Sequence, residues 1–388
     1  MIELRYGANP HQKTKPITFA SGKEPLRLLN GAPSYINLLD ALTAWQLVKE
    51  LREATGLPSA ASYKHVSPAG AAVAKEIDEA FKESQFLKTT DFSPLASAYV
   101  RARGGDRMCS FGDAAAVSDV VDVSLANFLK TEVCDLIIAP GYEPEALEIL
   151  KQKKKGNFLI FEIDADFDPD AFETRELFGI QLSQERNSKV ITRADLTDIV
   201  SRNADMPESI YQTLLVAAIT LKYTQSNSIA LAYDGQIVGL GAGQQSRIHC
   251  TRLACDKAEK WFLQRHPKVR ELQFQDKMPK VAKTNLIDQY LLWDSLSSRE
   301  EAMMLNGFKE RPEPISKEEK AQWINTFAGI TLASDAFIPF RDNIDRASRT
   351  NVQYIVETGG SLRADDVIQA TDEYGMVHIH TGIRSFLH

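Results

Sequence analysis

Apolar positions in INLLDALTAWQLVKEL (36–51) recur with helical spacing. Leu38, Leu39, Leu42, Trp45 and Leu47 fall mostly along one stripe, which predicts a helix. AASYKHV (60–66) is short and predicts a strand. SPAGAAVAKEIDEAFKE (67–83) predicts a helix, with Ser67 as N-cap and Pro68 in the first turn. CDLIIAPGY (134–142) is a continuous apolar run ending in Pro-Gly, a buried strand entering a loop.

The pattern continues beyond residue 200. SIALAYDGQIVGLGAG (228–243) predicts two strands around an Asp-Gly turn. QQSRIHCTRLACDKAEKWFLQRH (244–266) predicts a helix whose core face carries Ala254, Ala258, Trp261 and Phe262. Residues 267–328 are mostly polar and helical, anchored by Trp293 and Trp323, and look like an insertion. VQYIVETGG (352–360), a helix from about 364 and GMVHIH close the chain. This alternation predicts an α/β protein. A weak duplication aligns SYKHVSPAG, SFGDAAAVSD and CDLIIAPGY with VGLGAGQQSR, LASDAFIPFRDN and VQYIVETGG. It divides the chain into α/β units at 1–200 and 201–388, the second with the insertion.

Composition narrows the function classes. The 388 residues hold 52 acidic and 45 basic side chains, a formal net charge of −7. Nothing in that balance points to nucleic acid as partner. No run of eighteen apolar residues suggests a membrane span, and the polar N-terminus lacks a signal-peptide run. Cys109, Cys134, Cys250 and Cys255 form no CxxC pair, so they are expected to be reduced thiols of a cytoplasmic enzyme.

Four segments carry candidate chemistry, each with a plain structural alternative. Lys64-His65, at a strand end, supplies a cation and an imidazole suited to electrostatic stabilisation and general base work. The alternative is a surface lysine beside a satisfied histidine. In GAGQQSR (241–247), glycines admit close backbone approach, and Arg247 opposes the positive end of its helix unless an anion binds. The alternative is a pair of helix-packing glycines. KYTQSNS (222–228) is rich in polar groups that suit a ligand or an ion, or else a polar loop. SDAFIPFRDN (334–343) places two aromatics around a proline, a wall for a flat heterocycle or ordinary core packing. His378 and His380 share a strand face, but no third metal ligand is evident, and the HxE…PCxxC pattern of zinc deaminases is absent.

These blocks, with RYGANPHQ (5–12), SFGD (110–113), IIAPGY (137–142) and GAGQQSRIH (241–249), resemble the transformylase half of the bifunctional purine biosynthesis family, which joins AICAR transformylase to IMP cyclohydrolase. The resemblance runs from Glu3 to His388 in family order, without the family's cyclohydrolase domain, as in a stand-alone transformylase or an excised domain. It implies two cytidine-deaminase-like α/β subdomains without zinc, and a homodimer with shared sites. It implies transfer of a formyl group from 10-formyltetrahydrofolate to the 5-amino group of AICAR. Lys64, His65 and Asn227 match the reaction centre. Arg5, Tyr6, Asn37, Gly112, Asp135, Arg247 and Arg384 match nucleotide-holding positions. Met108, Phe337, Pro339, Phe340, Asp342, Asn343 and Ser361 match positions around the folate. No catalytic metal is implied. Family members hold a structural potassium ion near Thr224–Ser228, although Leu221 and Ser385 sit where related chains often differ. A separate IMP cyclohydrolase is a conceivable partner. Enzymes using formate and ATP, and non-catalytic nucleotide-binding paralogues, are the competing readings.

Overall fold

A computed structural model describes residues 2–20 and 22–388. The first half runs β1 (Leu26–Asn30), α1 (Tyr35–Thr55), β2 (Ser59–Lys64), β3 (Ser67–Val73), α2 (Glu79–Ser84), α3 (Pro94–Gly105), β4 (Asp113–Val117), α4 (Val123–Thr131), β5 (Cys134–Ala139), α5 (Pro144–Lys151) and β6 (Leu159–Ile163). A separate hairpin, β7 (Phe172–Leu177) and β8 (Ile180–Glu185), leads to β9 (Asp198–Ile199). Then come α6 (Glu208–Lys222), β10 (Ile229–Tyr233), β11 (Gln236–Gly241) and α7 (Arg247–Leu263). The helical stretch is α8 (Pro267–Arg270), α9 (Lys280–Leu291), α10 (Ser298–Leu305) and α11 (Lys317–Ile324). The chain closes with β12 (Thr331–Ser334), α12 (Asp342–Arg349), β13 (Tyr354–Glu357), α13 (Ala364–Glu373) and β14 (Val377–His380).

Among the described residues one twelve-stranded mixed sheet runs β1-β6-β5-β4-β2-β3-β11-β10-β12-β13-β14-β9. Its centre is a junction of two hairpins, β2–β3 and β10–β11, joined where Gln236 pairs with Ala72. Outward from that junction both halves repeat one plan. A helix precedes the hairpin (α1, α6), a helix follows it (α3, α7), and three parallel strands alternate with two more helices. The insertion α8–α11 lies between α7 and β12. Helices α1 and α6 share one face, packing against Ala61, Tyr63, Leu136, Ile138, Ala230 and Val356. On the other face α3, α4 and α5 cover Ala115 and Ile137, while α7, α9, α12 and α13 cover Leu231, Leu332 and Ile355.

Three expectations need correction. Residues 67–73 form a strand, and the helix is confined to Glu79–Ser84 with Asp78 as its cap. The small residues here answer to close approach rather than to helix propensity: a Cβ on Gly70 would sit 2.1 Å from the Ala102 carbonyl oxygen of α3. Pro68 is tolerated because β3 pairs with β11 only near its far end, at Ala72. In α1 the buried stripe runs through Leu38, Ala41, Trp45, Val48 and Leu51, whereas Leu39 and Leu42 are exposed. The duplication is also offset by one element: the counterpart of the β2–β3 hairpin is β10–β11, residues 229–241, and not the β11–α7 junction.

Candidate functional site

Strand directions carry the candidate residues to one edge of the sheet. The β2–β3 turn, the N-terminal ends of β4 and β5, and the C-terminal ends of β11, β12, β13 and β14 all meet there. His65 and Val66 form the two-residue turn between Lys64 and Ser67, with φ of 56° and 58°. A β-branched residue in the left-handed region is strained. The turn is held by Asp40 of α1, whose Oδ1 accepts the Val66 N–H at 2.6 Å. Burial raises the Asp40 carboxyl above its ordinary value, against that hydrogen bond and the nearby charge of His65, which pull it down. Lys64 Nζ donates to the Phe111 carbonyl at 2.5 Å. Next to it Gly112 adopts φ +75° and donates to the Val133 carbonyl, and Asp135 pairs with Lys154.

The N-terminal segment joins this group. Arg5 N–H donates to Pro33 O, and Tyr35 N–H donates to Tyr6 O, which sets Arg5 and Tyr6 at the start of α1. Asn37 accepts from the backbone and hydroxyl of Ser34 and closes that helix start.

A second group is built by the GAGQQSR and KYTQSNS segments, which lie against each other. Gly243 N–H donates to Gln225 O, and Asn227 N–H to Gln244 O. Arg247 is buried. Its Nη1 donates to Asp335 and, at 2.8 Å, to Ser228 O, and its Nη2 donates to Asn227 Oδ1 at 2.9 Å. Asn227 Nδ2 donates to Gln244 O. Asp335 also accepts from Ser226 Oγ, Ser228 N and Ser228 Oγ. The Arg247 guanidinium is thus engaged by protein groups and fixes the Asn227 amide. Gly241 is a packing glycine, since a Cβ would meet the Cys250 carbonyl oxygen at 2.3 Å. Burial pushes the Cys250 thiol up to about 11, which leaves it protonated near neutral pH. The hydroxyls of Thr224, Ser226 and Ser228 donate to Thr220 O and to Asp335.

Beyond β12 the chain exposes Phe337 and Phe340 around half-buried Pro339. Asp342 is exposed, whereas Asn343 is buried and accepts from Thr251 Oγ1. Ser361 lies in the loop after β13, and Arg384 is exposed over the Phe386 ring. Met108 lines a largely apolar cleft of about 760 Å³ with Phe111, Val133 and the start of α9, beside the Lys64–Phe111 contact. Arg5, Lys64 and Arg384 have no carboxylate partner among the described residues. They leave unneutralised positive charge along this edge, suited to an anionic ligand.

Sequence reasoning missed Asp40, the acceptor role of Asp335, and Glu357. Glu357 supplies the third group that His378 and His380 lacked: its Oε1 lies 3.1 Å from His378 Nε2 and 3.3 Å from His380 Nε2. Burial alone would raise its carboxyl, but the two histidines and the Ile338 N–H hold it at about 2. The signal was parallel pairing of ETGG with HIH, visible only once β13 and β14 are adjacent.

The model of the AICARFT/IMPCHase bienzyme family matches residues 1–257, about two thirds of the chain. The chain belongs to that family. The bifunctional purine biosynthesis protein of Roseobacter denitrificans is 30% identical over 391 aligned residues, covering 99% of this chain. Those of Magnetococcus marinus and Bacillus cytotoxicus are each 28% identical, over 99% and 100% of it. The chain spans 59% of the length of each of these relatives.

Proposed function

We propose that this chain transfers the formyl group of 10-formyltetrahydrofolate to the 5-amino group of AICAR, giving FAICAR and tetrahydrofolate in purine biosynthesis. The observation that carries the reading is the sheet edge, where Lys64-His65 on a strained turn shares one border with unneutralised Arg5 and Arg384 and with exposed Phe337 and Phe340. The family supports the identity of the ligands.

The AICAR amine is a weak nucleophile, because its lone pair delocalises into the imidazole and carboxamide. His65 removes its proton as the new C–N bond forms. Lys64 stabilises the formyl oxyanion or protonates the leaving N10. Asn227, held by Arg247, orients the carboxamide or the formyl group. Arg5 and Arg384 meet the phosphate, with Tyr6, Asn37, Gly112 and Asp135 lining the nucleotide. Phe337, Pro339, Phe340 and Met108 flank the pterin, and Asp342, Asn343 and Ser361 shape its loops. Arg247 is assigned to positioning rather than to the phosphate, since its guanidinium is committed to Asp335 and Asn227.

The reading extends to two cytidine-deaminase-like subdomains divided near residue 200, which the repeated sheet plan supports. It extends also to a cytoplasmic setting, in keeping with four free cysteines. It includes a homodimer with composite sites. Support comes from the β7–β8 hairpin, which exposes Phe172, Leu177, Phe178, Ile180 and Leu182, an apolar surface suited to a second copy. A potassium ion near Thr224–Ser228 belongs to the reading as a structural element only. The test is purified protein with AICAR and 10-formyltetrahydrofolate, followed by release of tetrahydrofolate. Folded protein that binds both and releases none is a nucleotide-binding paralogue, and the transferase reading fails.

A further inference from the structure

We propose that Glu357, His378 and His380 form a binding site for a divalent transition-metal ion of the zinc class. The strands that carry them are adjacent and parallel, with Glu357 directly opposite His380. His378 and His380, two residues apart, project to the same side as Glu357. One ligand atom from each residue lies within 4.8 Å of the others. Both imidazole Nε2 atoms converge on a single carboxylate oxygen, at 3.1 and 3.3 Å. In a tetrahedral site with bonds of about 2.0–2.1 Å, neighbouring donor atoms stand about 3.3 Å apart. The two separations from Glu357 Oε1 to the imidazole nitrogens therefore match those of a zinc site, and the third lies within 4.8 Å.

Burial argues the same way. His378 and Glu357 side chains are 0% and 2% exposed, and His380 is 15% exposed, which leaves an approach from its side. Three buried side-chain polar atoms among the described residues lack a hydrogen-bond partner, and His380 Nε2, which faces Glu357, is one of them. A proton on His378 Nε2 satisfies one contact to Glu357. His380 Nε2 then faces the same oxygen without an acceptable hydrogen bond, whereas a cation takes all three donors at once. Imidazole and carboxylate are the donor set of three-ligand zinc sites that keep a fourth position for water or another ligand. The remaining Glu357 oxygen accepts the Ile338 N–H, so the ion would be tied to the loop bearing Phe337 and Phe340. The site stands on this geometry alone and does not depend on the transferase reading.

The experiment uses the full chain, stripped with a chelator and titrated with Co²⁺ as a spectroscopic probe for Zn²⁺. The expected result is one equivalent of Co²⁺ with visible d–d absorption of low coordination number, bleached by Zn²⁺. Glu357→Gln and His380→Phe, two separate variants, should each weaken binding beyond the roughly 10–100-fold that loss of an outer-shell partner costs. Circular dichroism confirms that each is folded. Hydrogen exchange at the Ile338 amide should slow when metal is added to wild type only. Absence of a saturable equivalent, or one that persists unchanged in both folded variants, overturns the site and leaves a buried Glu–His hydrogen-bond cluster.

Discussion

Arg247 separates two roles that a matched motif cannot distinguish. In the structure its guanidinium reaches Asp335, Ser228 O and Asn227 Oδ1, and the Arg247 and Asp335 side chains are 6% and 0% exposed. Breaking a buried ion pair by removing one partner costs about 3–5 kcal/mol. Asp335 keeps three other donors, from Ser226 and Ser228, so Arg247→Ala should fall at the low end, about 3 kcal/mol. Arg247→Lys keeps a cation for Asp335 but cannot reach Asn227 with the same planar fork. Its stability loss should be about 1.5–2 kcal/mol, one or two charge-assisted hydrogen bonds partly replaced. The freed Asn227 amide should still lower kcat by about tenfold, equivalent to about 1.4 kcal/mol of lost orientation.

The assay pairs urea unfolding with binding of AICAR and of its dephosphorylated riboside. A positioning residue changes both affinities by a similar factor. A phosphate ligand contributes roughly 1.5–3 kcal/mol to the nucleotide alone, so its loss would cut the nucleotide-to-riboside preference by about 10–150-fold. The reasoning is refuted if Arg247→Ala is as stable as wild type and selectively loses the phosphorylated ligand.

Three further outcomes follow from the same structure. Asp40 has its carboxyl raised above the unfolded value of 3.8, so the folded state holds the extra proton and wild type loses stability as pH rises through the folded pKa. Asp40→Asn keeps an oxygen for the Val66 N–H, and urea unfolding between about pH 4 and 8 should show the variant gaining on wild type across that window and then running parallel. Gly239→Ala would put a Cβ 2.1 Å from Ala254 O and 2.8 Å from Ala258 N in α7, and thermal unfolding should report a loss of about 1–3 kcal/mol or more. His65→Ala and Asn227→Ala subunits, each inactive alone, should recover roughly a quarter of wild-type turnover after exchange, because half the dimers are mixed and each has one intact site. Verified exchange without recovery would confine each site to one chain.

What the sequence disclosed depended on how local the cause was. The β10–β11 hairpin was legible because Asp234-Gly235 adopts the two left-handed conformations that such a turn requires, with φ of 50° and 73°. The β2–β3 turn needs the same conformations but fills them with His65-Val66, which carries no turn signature. Its cause is tertiary: Asp40, a turn and a half into α1, accepts the Val66 N–H. The misread helix at 67–73 has the same origin, since Ala and Gly were chosen by the pressure of α3 on the strand. Candidate residues from the family blocks did gather at one edge, but their partners Asp40, Asp335 and Glu357 come from distant segments. The offset in the duplication arose because hairpins were compared with strand–helix junctions, and only sheet order exposes the true equivalence.

Under the proposed formyl transfer, the sheet makes one chain alone an awkward reaction centre. Lys64 ends β2 and Asn227 precedes β10, three strand spacings away across β3 and β11. At about 4.8 Å per spacing the two groups stand roughly 14 Å apart along the edge. A proton transfer and an amide contact on one formyl group must both act within about 3 Å of the reacting atoms. Asn227 is held by Arg247, and Lys64 reaches the Phe111 carbonyl on the β4 side of β2, away from β10. The duplicated plan runs its parallel strands in opposite directions on the two sides of the junction, so this edge offers strand N-termini from one half and C-termini from the other. In the proposed homodimer, juxtaposing the edges of two copies with opposite sense would place the Lys64-His65 turn of one against the Asn227–Arg247 group of the other. That arrangement would bring both groups to one ligand without moving either from its own support, and it would yield two equivalent centres from a single contact.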